Sequence, residues 1–533
     1  MNLVRLRMKP YIQPFERRLA LQELRAVANA EPKHLGLLEE TSTEFELISL
    51  RSSTDLADRL AYWETVHTAD RSLVTMQSLR ESTVSTIRNG IDLDTLRQEL
   101  PFRGDVPLPN RRCLRYGPHG IHEYRGKFFP QLVRSLINVS GIEPGGVVAD
   151  PMSGSGTTMV EAVLAGHHGW GMDMNPFSVF LGQIKCRLVS ADPAAIASGV
   201  QKLMGELRTS KGTSAKRLHY FESLPQTDQD YLAGWFSRSV LAHLDQITQA
   251  IGLVRDKDAR DLMRVSLSNV LRRVSWQKED DLRVRKEIRP DAEIDVKKEF
   301  LNELVRSTRS VLALLYQNGS VTKDVFQVTQ GDARKCGDSW GSNSLDVVIT
   351  SPPYATALPY LDTDRLSLCY LGMLPRPEHR IRDQQMIGNR EVTEGLRRSY
   401  WARLEKDEST LPESVCGLIR RIEQLNSKVK VGFRRRNLPA LLAKYFFDMK
   451  EVFENIHRAL KPRSFAFVVV GNNHTIAGGH FVEIQTASLL QDIARDTGFH
   501  VTESLAMEML VSRDIFKKNA TASEEILALY KLG

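Results

Sequence analysis

The chain has 533 residues, more than one ordinary hydrophobic core organises, so a catalytic domain carrying at least two further modules is expected. Hydrophobic residues make up 42% and charged residues 26%, and no apolar run approaches the 18 or more residues of a membrane span, which argues against an integral membrane protein. The formal charge of +7 allows a polyanionic partner without requiring one.

Residues 1–110 are polar and read as a mostly helical accessory region with a strand at 45–50 and no chemical motif. The basic start (Arg5, Arg7, Lys9) lacks the continuous apolar stretch and cleavage site of a secretory signal, so a cytoplasmic location is expected. The five cysteines, Cys113, Cys186, Cys336, Cys369 and Cys416, form no CxxC pair and have no histidine at zinc-ligand spacing. Reduced thiols are expected, with neither a disulfide framework nor a metal site.

From residue 111 the pattern changes. Apolar runs that end in turn residues recur at 146–149, 168–173, 325–329, 345–350 and 465–470, with helical segments between several of them. This rhythm predicts an α/β fold with a mostly parallel sheet and helices on both faces. The sheet-forming parts are 111–189, 320–374 and 438–533. Between them, 190–319 reads as a helical insertion with long helices at 231–251 and 258–274, and 375–437 as a charged, Arg-rich interruption before a helix at 438–460. That interruption ends in Lys428, Lys430, Arg434, Arg435 and Arg436, five cations in nine residues with no acid among them, a candidate contact for nucleic-acid phosphate.

After the strand at 146–149 comes Asp150-Pro151-Met152-Ser153-Gly154-Ser155-Gly156-Thr157-Thr158 and then a helix. Glycines in a strand-to-helix turn let backbone approach a ligand closely. A phosphate-binding Walker loop requires GK[ST] after its glycines, and here Gly156 is followed by two threonines. A dinucleotide fingerprint fails too, because its third small residue falls on bulky Met159. Asp173 ends the next strand, 23 residues beyond Asp150, where a carboxylate can accept from two ribose hydroxyls. A third strand-end acid, Asp332, suits the amino group of an adenine.

The second constellation is Ser351-Pro352-Pro353-Tyr354, at the end of the run 345–350. Two prolines stiffen the turn, and the Ser351 hydroxyl with the Pro352 carbonyl offers two acceptors for an exocyclic amine. Tyr354 supplies a face for a base taken out of its duplex. Taken alone, Ser-Pro-Pro-Tyr is a common proline turn, and its position behind a cofactor-type turn is what gives it meaning.

These motifs resemble the S-adenosylmethionine-dependent DNA amino-methyltransferases, the cytosine-N4 and adenine-N6 family, whose cofactor motif commonly reads DPFxGSGT. Met152 stands here where that family usually has an aromatic. The resemblance implies that Asp150, Met152, Gly154 and Gly156 lie at the methionine end of the cofactor, Asp173 at the ribose and Asp332 at the adenine. The segment 122–130 resembles the strap that closes over the methionine moiety, which adds Phe129 and Pro130 to the expected cofactor residues. Ser351, Pro352, Pro353 and Tyr354 would form the catalytic clamp, and serine at the first position resembles the cytosine-N4 branch more than the adenine-N6 one. No cysteine follows a proline, so covalent attack on a cytosine ring is not expected. The implied partner is double-stranded DNA with its target base flipped out, and a cognate nuclease or defence-system partner is compatible with the family. Methylation of cytosine N4 in DNA is the expected reaction, the same transfer to adenine N6 is the nearest rival, and RNA methylation and a non-catalytic DNA-binding subunit are the further rival readings.

Overall fold

The computed structural model describes residues 2–35, 41–90, 92–101, 106–124, 126, 128–209, 217–278, 286–291, 294–319, 321–323, 325–355, 360–390, 392–508 and 523–533. Among these, a seven-stranded sheet forms from β1 (Val147–Asp150), β2 (His168–Asp173), β3 (Phe326–Gln330), β4 (Leu345–Thr350), β5 (Leu460–Gly471), β6 (His500–Glu508) and β7 (Ser523–Lys531). The strand order is β6-β7-β5-β4-β1-β2-β3. Strands β1 to β5 are parallel, and β7 lies between β5 and β6 antiparallel to both. This is the α/β, Rossmann-like sheet anticipated from the strand rhythm. The chain lays β2 and β3 on one side of β1 and returns to place β4 on the other, and such a reversal opens a crevice at the carboxyl ends of the strands.

β6 and β7 were not anticipated. Ser523–Lys531 reads SEEILALYK, a string of good helix formers, but Ile526, Leu527, Ala528 and Leu529 are all buried. A strand flanked on both edges and covered on both faces is apolar without alternation, and here tertiary context overrides local propensity.

The expectation of a mostly helical 1–110 region also needs correction. Beside the helices Pro14–Ala28, Ser53–Arg59 and Met76–Asn89, this region carries a five-stranded antiparallel sheet. Its strands are Asn2–Met8, Lys33–His34, Glu44–Ser49, Trp63–His67 and Ser72–Val74. The strand expected at 45–50 is among them; the others are mostly short, and exposed Leu3 and buried Glu64 break the apolar–polar alternation. Nor does the region stand apart. Val4, Leu6, Leu19 and Trp63 share one apolar cluster with Leu132 and Leu136 of the helix Pro130–Val139 and with Val148, Val347 and Phe467 of the catalytic sheet.

Buried polar contacts pin this layer. Glu23 accepts from Ala61 N (2.8 Å) and Asn138 Nδ2 (2.7 Å), Lys9 pairs with Glu81 (2.7 Å), and Gln131 Nε2 donates to Glu81 (3.0 Å). Burial pushes the Glu23 carboxyl up to about 7. Beneath the cofactor turn, the helix Thr157–Leu164 buries Glu161 against His119 Nε2 (2.9 Å), Tyr116 Oη (2.8 Å) and Arg134. Burial alone would raise Glu161, but the His119 hydrogen bond and the nearby Arg134 charge outweigh it and hold the carboxylate at about 2.

In the segment 190–319 the helices Pro193–Thr209, Gln226–Ala233, Arg238–Gly252, Lys257–Val274 and Val296–Asn318 build a second apolar cluster. The cluster takes in Phe177 and Leu181 of the helix Pro176–Leu188 and Leu366 of the helix Tyr360–Tyr370. The single helix expected over 231–251 is broken after Ala233, because Ser237 caps a new helix by accepting from Val240 N (3.2 Å).

The segment 375–437 contributes the helices Arg376–Gln385, Glu394–Asp407 and Glu413–Ser427. The following helix begins at Phe433, five residues earlier than expected, and runs to Ala459 with Pro439 inside it. Proline has no amide to give the carbonyl four residues back. Asn426 Nδ2 donates to that Arg435 carbonyl instead (2.9 Å), while Asn426 Oδ1 accepts from Gly478 N (3.1 Å). Gly478 sits at the tip of the hairpin formed by Asn473–Ala477 and His480–Ile484.

Removing the carboxylate that His119, Tyr116 and Arg134 share leaves buried charge uncompensated. Glu161→Ala is therefore expected to destabilise the protein by about 3 kcal/mol or more, measured as a lowered urea midpoint.

Candidate active site

At the crevice beside β1 lies a cavity of about 410 Å³. Its wall combines the cofactor-type turn (Pro151, Met152, Gly154), the strand-end acids Asp173 and Asp332, and Ser351, Pro352, Pro353 and Tyr354. The two constellations read from the sequence therefore face one space.

Asp150 does not line that space. Its Oδ1 accepts from Met152 N (3.1 Å) and Thr350 Oγ1 (2.7 Å), and its Oδ2 accepts from Thr158 Oγ1 (2.9 Å). Burial pushes this carboxyl up to about 6 despite those donors. Gly156 also stands behind the wall. It has φ +85°, and a Cβ there would sit 2.7 Å from Gly182 Cα, so the turn packs backbone against backbone on the helix Pro176–Leu188. Gly154, with φ +47°, does line the cavity, and its amide donates to Asp173 Oδ2 (2.8 Å).

Asp173 Oδ1 accepts from Asn175 N (2.8 Å), and burial pushes this carboxyl up to about 6 from its ordinary 3.8. Asp332 moves the other way. Burial opposes its ionisation, but the Arg334 guanidinium, with Nε at 2.9 Å from Oδ1 and Nη2 at 2.6 Å from Oδ2, holds it below the usual carboxylate range. Arg334 Nη1 in turn donates to Asp448 Oδ1 (2.9 Å). Arg334, two residues after Asp332, escaped the sequence reading, although a cation so close to a strand-end acid was the available signal.

Phe129 lines the cavity with Tyr124 and Phe128. Pro130 is buried at the first position of the helix Pro130–Val139 and does not line it. Within the strap, Arg125 and Lys127 lie outside the described residues. On the opposite wall stand Met507 and Glu524, neither anticipated, and the Tyr354 hydroxyl donates to Glu524 Oε1. The basic run is elsewhere: Lys428, Lys430, Arg434, Arg435 and Arg436 are exposed, the arginines on the first turn of the helix Phe433–Ala459.

A family model, UPF0020, an RMKL-like methyltransferase domain, matches residues 122–206, the stretch that carries the strap, β1, the glycine turn and Asp173. The chain is 23% identical over 395 residues to the type II methyltransferase M.MvaI of Kocuria varians, covering 72% of this chain and 82% of that one. It is 22% identical over 434 residues to the type II methyltransferase M.BsoBI of Geobacillus stearothermophilus, covering 73% and 81%. The chain is thus similar to type II DNA methyltransferases over most of its length and to a methyltransferase domain over 122–206. Solved structures similar to this chain include a putative DNA modification methylase of Thermus thermophilus complexed with S-adenosyl-L-methionine (17% identity, 38% of this chain and 54% of that one, TM-score 0.19). TrmN of Thermus thermophilus is another (10% identity, all of both chains, TM-score 0.32).

The cavity suits S-adenosylmethionine, the cofactor that the motifs imply. Gly154 keeps the wall open, since a Cβ there would sit 3.1 Å from the ring of Tyr124, which also lines the cavity. Half-buried carboxylates provide acceptors for a nucleoside, and Met152, Met174 and Ile387 provide apolar wall. No helix among the described residues is long and apolar enough to cross a membrane.

The raised Asp173 carboxyl gives the site a pH signature. Above about 6 it is ionised and acceptor-only, and below about 6 it takes up a proton and gives up part of that capacity. The buried neutral form is the one the fold favours, so this acid's effect on stability runs opposite to its effect on the ligand, improving as pH falls through the same range. Cofactor affinity measured by calorimetry should weaken as pH drops from 7.5 through 6. Asp173→Asn should bind more weakly at pH 7.5 and show a flatter profile.

Proposed function

We propose that this methyltransferase transfers a methyl group to the exocyclic N4 amine of cytosine in duplex DNA, with the target base flipped into the cavity. The observation that carries the reading is Ser351, which follows Thr350 at the carboxyl end of β4 and lines the cavity at the head of Pro352-Pro353-Tyr354. A base amine is a poor nucleophile because its lone pair is conjugated with the ring. The Ser351 hydroxyl and the Pro352 carbonyl accept its two hydrogens, which draws the lone pair out of conjugation, and Tyr354 stacks on the ring. When bound, S-adenosylmethionine supplies an electrophilic methyl on its sulfonium. Asp173 takes the ribose hydroxyls, Asp332 the adenine amino group, and Phe129 with Met152 covers the methionine end. Asp150 and Gly156 shape the turn from behind. Acceleration comes from orientation and exclusion of water.

The cysteines offer no covalent alternative. Cys186, Cys336, Cys369 and Cys416 are buried, and burial raises their thiols well above the thiolate range, to about 12, 12, 12 and 11. Cys113 is half-buried, and none of the five lines the cavity.

The duplex is held by the exposed basic turn. Arg434, Arg435 and Arg436 occupy the positive end of their helix, so the helix dipole adds to their field instead of opposing it. Both favour phosphate.

Nucleosides from DNA treated with the protein and methyl-labelled cofactor should yield N4-methylcytosine by mass spectrometry. N6-methyladenine would move the reading to the adenine branch, and an unlabelled base fraction would sink it. Ser351→Ala should lower kcat by about 10- to 1000-fold with cofactor affinity retained. Neutralising Arg434, Arg435 and Arg436 together should weaken DNA binding on any sequence and reduce the slope of log K against log salt by about 2 to 3.

A further inference from the structure

Because β7 runs against its neighbours, its first residues reach the edge where the cofactor turn and the acceptor clamp meet. Alternation places Glu524 on the same face as Ile526 and Ala528, both buried in the apolar cluster on that side of the sheet. Glu524 pairs in register with Met507 and lines the cavity together with Met507 and Val469. A carboxyl thus interrupts an apolar stripe.

Its neighbour Glu525 faces the other way and is occupied in the framework, accepting from Asn472 Nδ2 (2.7 Å) and Ser504 Oγ (2.7 Å). Glu524 instead accepts from the Tyr354 hydroxyl, across 170 residues of chain. Burial raises the Glu524 carboxyl, and the Tyr354 hydrogen bond offsets part of that rise. A carboxyl in an apolar wall costs stability that an aliphatic residue there would avoid, and such costs concentrate where a site needs the group.

The geometry points to Glu524 as a positioning residue of the acceptor pocket, holding the Tyr354 hydroxyl so that the aromatic ring is fixed before a flipped base stacks on it. The inference rests on the base-acceptor reading of Tyr354 given above. A ring fixed in advance loses no further freedom when the base arrives, so the contact favours capture of the base and alignment of its amine. Glu524 need not touch the cofactor for this.

The test begins with the wild-type protein on DNA and uses the methylated position it reveals. Replacing that base by 2-aminopurine in a duplex gives a fluorescence signal for the flipped state that does not depend on methyl transfer. Glu524→Ala and Tyr354→Phe should each lower kcat/KM for DNA roughly 10- to 100-fold and reduce the 2-aminopurine signal, with the cofactor Kd within about twofold of wild type. The double variant should be no worse than the poorer single one, and Glu524→Gln, which keeps an acceptor, should recover most of the loss. Multiplied losses in the double variant, an equal loss of cofactor affinity, or unchanged kcat/KM in Glu524→Ala would each overturn the inference. Retained cofactor binding also establishes that the variants are folded. Absence of any methylated base with the wild-type protein refutes the base-acceptor reading itself, before a variant is compared.

Discussion

Asp150 commits both of its carboxylate oxygens to the interior of the protein, to Thr158 on the cofactor-side helix and to Thr350 at the end of β4. The residue after Thr350 is Ser351, and the residue after Asp150 begins the glycine turn. One buried side chain therefore ties the wall that carries the glycine turn to the wall that carries Ser351-Pro352-Pro353-Tyr354. Backbone pairing does little of this, since the register of β1 with β4 covers Val148 with Val347 and Ala149 with Val348 and ends there. Hydroxyls complete across the strand ends what the ladder leaves undone. In-line transfer tolerates little error in distance, and a water-filled gap between these strands would introduce it.

The layers around the sheet support that tie. On one face the N-terminal region and the helix Pro130–Val139 share an apolar cluster with β1, β4 and β5, and Glu23, Glu81 and Glu161 fix this packing with buried hydrogen bonds. The inserted helices bury Phe177 and Leu181, and so brace the helix whose Gly182 meets Gly156. The glycine turn is held from behind by a close backbone contact as well as from within by Asp150.

Much of the catalytic half was legible because its elements obey simple rules: apolar runs that end in acids or prolines, and glycines at a strand-to-helix turn. DPMSGSGTT and SPPY meet at one cavity, and Asp173 and Asp332 stand on its rim. What escaped depends on contacts distant in sequence. SEEILALYK has the local preferences of a helix and becomes a strand because β5 and β6 flank it, and with that strand Glu524 was missed. Asp150 looks like a ligand residue from its position, but Thr350, 200 residues away, shows it to be an internal anchor. The early start of the helix at Phe433 was hidden by glycine and charge in the preceding turn. Of the short N-terminal strands only the one at 45–50 was legible, because exposed Leu3 and buried Glu64 blur the alternation of its neighbours.

The proline inside that helix has a mechanical consequence. Pro439 leaves the Arg435 carbonyl without a helical donor, and Asn426 secures it sideways while holding the hairpin tip at Gly478. The hairpin grows from Asn473, and the adjacent Asn472 donates to Glu525, the neighbour of Glu524. The basic first turn of the helix is thus tied, through Asn426, the hairpin and Asn472, to the strand whose Glu524 accepts from Tyr354. Movement at that exposed turn and movement at the cavity wall share one short truss.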